Sequence, residues 1–136
     1  MMARFAYTLG AGALARALPR VPLELSHGER SVEVEGLVDT GSTINVLPFD
    51  YGLSLGMVWE EHNIPLTLTG ALANYEARAA FIWASNTRLT GPKPVHLSVA
   101  WTTSNEAPVM LGQTNFLMEF NVCFYVSQGF FEVWRN

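Results

Sequence analysis

One carboxylate in this chain lies between two apolar runs and is the residue best placed for chemistry. Asp39 directly follows apolar residues 37–38, and a second apolar run begins at residue 44. Both runs are typical of buried strands, and because a lone buried carboxylate is costly, an Asp kept at such a position usually has a function. Thr40 and Ser42 add hydroxyls beside it, and Gly41, which has no Cβ, lets a substrate or a second backbone approach closely.

The same residues also fit a simpler structure, the turn that ends a strand. Asp, Thr and Gly are frequent in turns, so the tripeptide at 39–41 does not by itself separate a catalytic loop from a structural one. The apolar flanks and the pattern farther along the chain must decide between the two.

Length and composition predict one domain covering residues 1–136. With 136 residues and 49% hydrophobic residues, the chain can form a substantial core. A net charge of −4 provides no basic surface that would attract nucleic acid or an anionic membrane. No run approaches the roughly 20 apolar residues that span a bilayer. We therefore expect neither a nucleic-acid nor a membrane partner.

Cysteine and histidine usage predicts a reducing compartment and no metal. The single Cys123 cannot form an internal disulfide, which fits a cytoplasmic location best. His27, His62 and His96 are far apart in the sequence and have no partner cysteines at zinc-binding spacing. We expect no metal or other cofactor.

Alternating apolar residues predict a β-rich chain built from hairpins. A hairpin over residues 21–38, with its turn at 26–29, leads into Asp39. Residues 4–9 fit a short strand, and residues 13–18 are ambiguous. Further along, the pattern predicts a helical or irregular segment at residues 49–57, a second hairpin at 64–83 and a loop at 86–94. A strand follows at 95–101, and a second apolar run that ends in glycine at 109–112. The chain ends with about one short helix at 113–120 and a last hairpin at 121–134.

The second hairpin has an unusual apolar tip at residues 70–74. An apolar tip can close over a ligand, or it can pack on its own domain. The sequence gives the two explanations comparable weight.

These features together resemble the retropepsin-like aspartic proteases, and most of all their small single-domain bacterial members. The resemblance rests on the hexapeptide 37–42, the hairpin with the apolar tip, the run 109–112 and the helix after it, and it extends from about residue 19 to the C-terminus. It implies an all-β fold, a closed β-barrel with a flap hairpin and one short C-terminal helix. It also implies a symmetric homodimer that acts as an aspartic endopeptidase on protein or peptide substrates.

The resemblance also assigns roles to residues. Asp39 is the catalytic carboxylate, Thr40 makes hydroxyl hydrogen bonds across the floor of the dimer, and Gly41 lines the substrate channel. The expected substrate-binding residues are Ser42, Leu68, Thr69, Gly70, Ala71, Leu72, Tyr75, Val109 and Met110.

The chain departs from the retroviral pattern in three places. Retroviral members usually have Arg after the second apolar run, where it ties down the dimer, whereas this chain has Gln113. The flap tip has one glycine, Gly70, where viral enzymes have several, and residues 1–18 have no counterpart. Since a fold does not guarantee its chemistry, a weakly active or inactive binding or assembly module is the alternative function.

Two further expectations concern assembly and pH. We expect the dimer interface to include the Asp39 floor and the last strand, at residues 130–134. If the Ser42 hydroxyl donates to the outer oxygen of Asp39, it favours the ionised carboxylate, and activity peaks at acidic pH.

Overall fold

A computed structural model describes residues 2–10 and 16–136 of the chain. The expectations for residues 11–15 therefore lie outside the described residues. The strands are β1 (Met2–Ala6), β2 (Thr8–Leu9), β3 (Ala17–Leu18), β4 (Arg20–His27), β5 (Arg30–Val38), β6 (Asn45–Leu47), β7 (Pro65–Leu66), β8 (Ala77–Ser85), β9 (Val95–Thr102), β10 (Met110–Leu111), β11 (Phe120–Tyr125) and β12 (Phe130–Arg135). The α-helices are α1 (Phe49–Ser54), α2 (Thr87–Thr90) and α3 (Phe116–Glu119).

Six strands form a closed barrel in the order β4-β5-β10-β6-β9-β8, and pairing between β8 and β4 closes it. This confirms the predicted all-β barrel. The described residues contain three short α-helices: α3 lies in the predicted helix, α1 lies in the segment predicted as helical or irregular, and α2 lies in a predicted loop. Helix α2 forms because the Asn86 side chain accepts a hydrogen bond from the backbone N–H of Arg88 and caps the turn.

The hairpin that leads to Asp39 has the predicted strands and turn. In β4, Val21, Leu23 and Leu25 face the core and alternate with outward residues, which is the period of a half-buried strand. Gly28 adopts a φ of 59° in the turn to β5, a conformation that favours glycine. The hairpin therefore carries the chain along the barrel and delivers Asp39 at the end of β5.

The last hairpin, β11–β12, is also confirmed, and β1 joins it to form a three-stranded sheet. Strand β12 lies in the middle of this sheet, so both of its edges are paired within the chain. Residues 130–134 therefore offer no free strand edge within this chain, and their place in a dimer interface stays a prediction. Phe5 of β1 packs in the core, so the first residues belong to the fold, and Cys123 of β11 is half-buried.

A buried tryptophan joins the barrel to α1. Trp101 of β9 is fully buried, and its indole N–H donates to the Phe49 carbonyl. The Phe49 and Trp59 rings pack on it, and Gly52 leaves room for it, because a Cβ on Gly52 would lie 2.2 Å from the indole.

Among residues 2–10 and 16–136, no helix has the length and apolar character needed to cross a membrane.

Candidate active site

Strand β10 brings two distant parts of the chain together at Asp39. It lies between β5, to which it is parallel, and β6, to which it is antiparallel. The backbone N–H of Leu37 donates to the Val109 carbonyl (N···O 2.8 Å), and that of Asp39 donates to the Leu111 carbonyl (3.0 Å). The loop between β5 and β6, residues 39–44, is thereby held against the second apolar run.

Backbone hydrogen bonds fix the Asp39 carboxylate at the start of this loop. The Gly41 N–H donates to Asp39 Oδ1 at 2.9 Å, and the Ser42 N–H donates to the Asp39 carbonyl at 3.1 Å. Asp39 is half-buried, whereas Thr40 and Gly41 are exposed. The loop therefore presents the carboxylate at the protein surface in a defined orientation.

Gly112 is required because the loop passes directly over it. A Cβ at this position would lie 2.5 Å from the Ile44 carbonyl oxygen and 2.7 Å from that of Ser42. Both contacts are to backbone atoms, which cannot move aside as a flexible side chain can. The glycine that ends the second apolar run thus allows the loop to pack closely on β10.

Two asparagines hold the same region through side-chain hydrogen bonds, and the sequence analysis identified neither of them. Asn45, which is 1% exposed, accepts a hydrogen bond from the Gly112 N–H and donates to the Ser98 carbonyl and to Asn115 Oδ1. Asn115 also accepts from the Ser98 N–H and donates to the His96 carbonyl. A polar residue inside the apolar run 44–47 was the available signal, since buried polar groups are generally hydrogen-bonded.

The Ser42 hydroxyl does not reach Asp39. It donates to the Ile44 carbonyl at 2.6 Å, within its own turn. The expected donation to the outer carboxylate oxygen is therefore wrong, because a short serine side chain satisfies its hydroxyl on the nearest backbone acceptor.

The Asp39 carboxylate opens onto a cleft of about 170 Å³ between the loop and the flap. Among the described residues, Asp39 is the only ionisable side chain in its lining. The predicted site residues in this lining are Asp39, Gly41, Ser42, Leu68, Thr69, Leu72 and Met110, and the structure adds Thr43, Ile44, Val46 and Thr67.

The paired part of the flap hairpin is shorter than predicted. Strand β7 has two residues, and the tip, Gly70–Leu72, is a 3-10 turn. Leu68 is 6% exposed and packs with Val46, Ala77 and Ala100. The flap therefore packs on its own barrel, and Leu68 and Leu72 also line the cleft. Closure of the tip over a ligand stays a prediction.

Five predicted residues lie outside the cleft lining of one chain. Thr40 lies on the exposed side of the loop, and Gly70, Ala71 and Tyr75 are exposed on the flap. Val109 belongs to the core, because side chains alternate along a strand and its neighbour Met110 faces the cleft.

The other aspartate of the chain, Asp50, lies elsewhere. It belongs to α1 and lines a separate groove of about 1110 Å³ to which residues of β4, β5, α1 and α2 contribute. The glutamates of that groove, Glu24, Glu33 and Glu35, are likewise absent from the Asp39 cleft. Within the described part of one chain, no second carboxylate faces Asp39 across the cleft.

The fold is similar to solved protease structures. A retropepsin-like aspartic protease from Rickettsia conorii matches with a TM-score of 0.67 and 12% identity, over 98% of this chain and 91% of that one. The EIAV protease complexed with the inhibitor HBY-793 matches with a TM-score of 0.52 and 15% identity, over 80% of this chain and 92% of that one. No protein-family model and no curated protein sequence matches the chain. The chain has the fold of the retropepsin-like aspartic proteases, as its sequence predicts.

Proposed function

We propose that this protein is an aspartic endopeptidase whose active form is a homodimer. The observation that carries the proposal is the Asp39 carboxylate, which a retropepsin-like fold presents in a cleft and orients through the Gly41 N–H. A half-buried carboxylate fixed in this way is a candidate acid or base for proton transfer.

The requirement for a second chain follows from the number of aspartates. Each chain has two, and Asp50 lines a different groove from Asp39. A pair of catalytic aspartates therefore needs Asp39 from each of two chains, related by a two-fold axis. Thr40 and Gly41, which are exposed beside Asp39, would then lie at the subunit boundary.

The proposed chemistry uses this pair as a unit. Two carboxylates a few ångströms apart do not ionise independently, so the pair holds one proton and titrates in two coupled steps. The ionised member takes a proton from a water molecule, which attacks the peptide carbonyl, while the protonated member donates to the carbonyl oxygen. Hydrolysis proceeds without a covalent enzyme intermediate.

The cleft walls favour a peptide with apolar side chains. Ile44, Val46, Leu68, Leu72 and Met110 provide an apolar surface on both sides of the carboxylate. An extended peptide between loop and flap would bind through its backbone, and the apolar walls would select side chains beside the scissile bond.

Digestion of a peptide library by the purified protein and two variants tests the proposal. Asp39→Asn should lower kcat/KM by about a thousand-fold or more, because Asn cannot exchange the proton. Asp50→Asn makes the same chemical change in the other groove and should leave cleavage within about two-fold of wild type.

Retained cleavage in folded Asp39→Asn would remove this residue from the mechanism. A wild-type dimer that binds library peptides without cleaving them would instead support the alternative function, a binding module.

A further inference from the structure

We infer that Gln113 is a positioning residue that holds the Asp-Thr-Gly loop, and through it the Asp39 carboxylate. Its role in catalysis rests on the proposed function, whereas its effect on the loop does not. Gln113 makes a neutral hydrogen bond within one chain, at the position where retroviral members usually have an arginine.

Gln113 donates two hydrogen bonds to the loop. Its side-chain Nε2 donates to the Thr40 carbonyl at 2.6 Å, and its backbone N–H donates to the Ser42 carbonyl at 2.9 Å. Gly41 lies between these two acceptors. One residue of the second apolar run therefore holds the loop on both sides of its glycine.

The side-chain bond acts on the peptide group that orients the carboxylate. The Thr40 carbonyl and the Gly41 N–H belong to the same planar peptide unit, so fixing one fixes the other. The Gly41 N–H is the group that donates to Asp39 Oδ1. Gln113 and Asp39 thus bind opposite ends of one peptide plane, and an amide whose oxygen accepts a hydrogen bond is also a stronger donor.

Among the described residues, the ionisable side chains of the loop at residues 39–44, of α3 and of β9 are Asp39, Glu119 and His96. Asp39 is the ionisable side chain of the cleft, and Glu119 of α3 pairs with Arg135. The His96 ring stacks on Phe81 and Trp83, and its carbonyl accepts from Asn115.

Gln113→Glu and Gln113→Met keep most of the side-chain volume but change the hydrogen-bond donor, so they separate the effect of the donor from the effect of volume. Met lacks a donor at every pH, so kcat/KM should fall about ten-fold at all pH values, the effect of one hydrogen bond. Glu donates only when protonated, below about pH 4.3. The ratio of Gln113→Glu to wild-type kcat/KM should therefore rise as pH falls through that value, whereas the ratio for Gln113→Met should stay flat.

Gln128→Glu is the matched control, because Gln128 is the only other glutamine and is exposed in a distant turn. Its ratio to wild type should stay within about two-fold at every pH. A flat ratio near one for both Gln113 variants would overturn the catalytic part of the inference.

Hydrogen exchange tests the loop without using activity. In the wild-type protein the side-chain amide protons of Gln113 should exchange more slowly than those of Gln128, and Gln113→Met should speed exchange of the Gly41 amide. Equal exchange of the two glutamines overturns the inference. Absence of peptidase activity in the wild-type protein would contradict only the proposed function. Hydrogen exchange would still decide whether Gln113 holds the loop.

Discussion

At Asp39 the loop uses backbone donors to orient the carboxylate, whereas the hydroxyl beside it serves the loop itself. Ser42 Oγ donates to the Ile44 carbonyl, so its proton is already engaged within the chain. Ser42→Ala should therefore leave the pH profile of kcat/KM within about 0.3 units of wild type, because no hydrogen bond to the carboxylate is lost. The free energy of unfolding should fall by about 1 kcal/mol.

The two measurements are a pH–rate profile and urea unfolding, with the exposed Ser127→Ala as control. An upward shift of the acidic limb by about half a unit or more would mean that the hydroxyl donates to Asp39 in the active dimer.

Asn45 is the polar residue on which the buried part of the site depends most. Replacing it with leucine keeps most of the volume but leaves the Gly112 N–H and the Ser98 carbonyl without this partner. Asn45→Leu should therefore lower the free energy of unfolding by about 2–4 kcal/mol. Asn121→Leu, at an exposed position of β11, is the control and should change it by less than about 0.5 kcal/mol. Equal effects in urea unfolding would contradict the account of this network.

Among the elements, β10 has only two residues, yet it holds together the two strands on either side of the Asp39 loop. Its insertion between β5 and β6 depends on Gly112, because the loop packs so closely on this residue that no side chain fits there. Gly112→Ala should destabilise the protein by about 2–3 kcal/mol. It should also lower kcat/KM more than the stability loss alone accounts for, because the displaced atoms belong to the loop that carries Asp39.

Thermal unfolding and kinetics on the folded fraction check this prediction. Full kcat/KM in folded Gly112→Ala would show that the loop tolerates the displacement and that close packing on β10 is not needed for catalysis.

The hairpins were predictable because a strand with one buried face shows its period directly, as in β4, where Val21, Leu23 and Leu25 alternate with outward residues. The insertion of β10 was not predictable from periodicity, since two apolar residues carry no period and the parallel partner lies some 70 positions earlier. The flap was predicted as a longer hairpin than the one observed, because alternation at Ile64, Leu66 and Leu68 continues beyond the two residues that pair.

For the whole molecule, the sequence predicted where Asp39 lies, at the end of a hairpin strand, but not the contacts that Asn45, Asn115 and Gln113 make around it. Asp39 was identifiable because a charge between two buried runs is costly. Asn45, Asn115 and Gln113 act through contacts that only the folded chain creates, between segments about 70 residues apart. Local pattern carries no information about such pairs, so their roles follow from the structure and not from spacing.

The central claim is that the active site needs Asp39 from two chains, and subunit mixing tests it most directly. Wild type and Asp39→Asn are mixed in equal parts at fixed total concentration, allowed to exchange subunits, and assayed on one peptide. Since only wild-type homodimers carry both aspartates, activity should fall to about one quarter of that of the all-wild-type sample. Activity of about one half would mean that each chain works with its own aspartate, and would contradict the shared site.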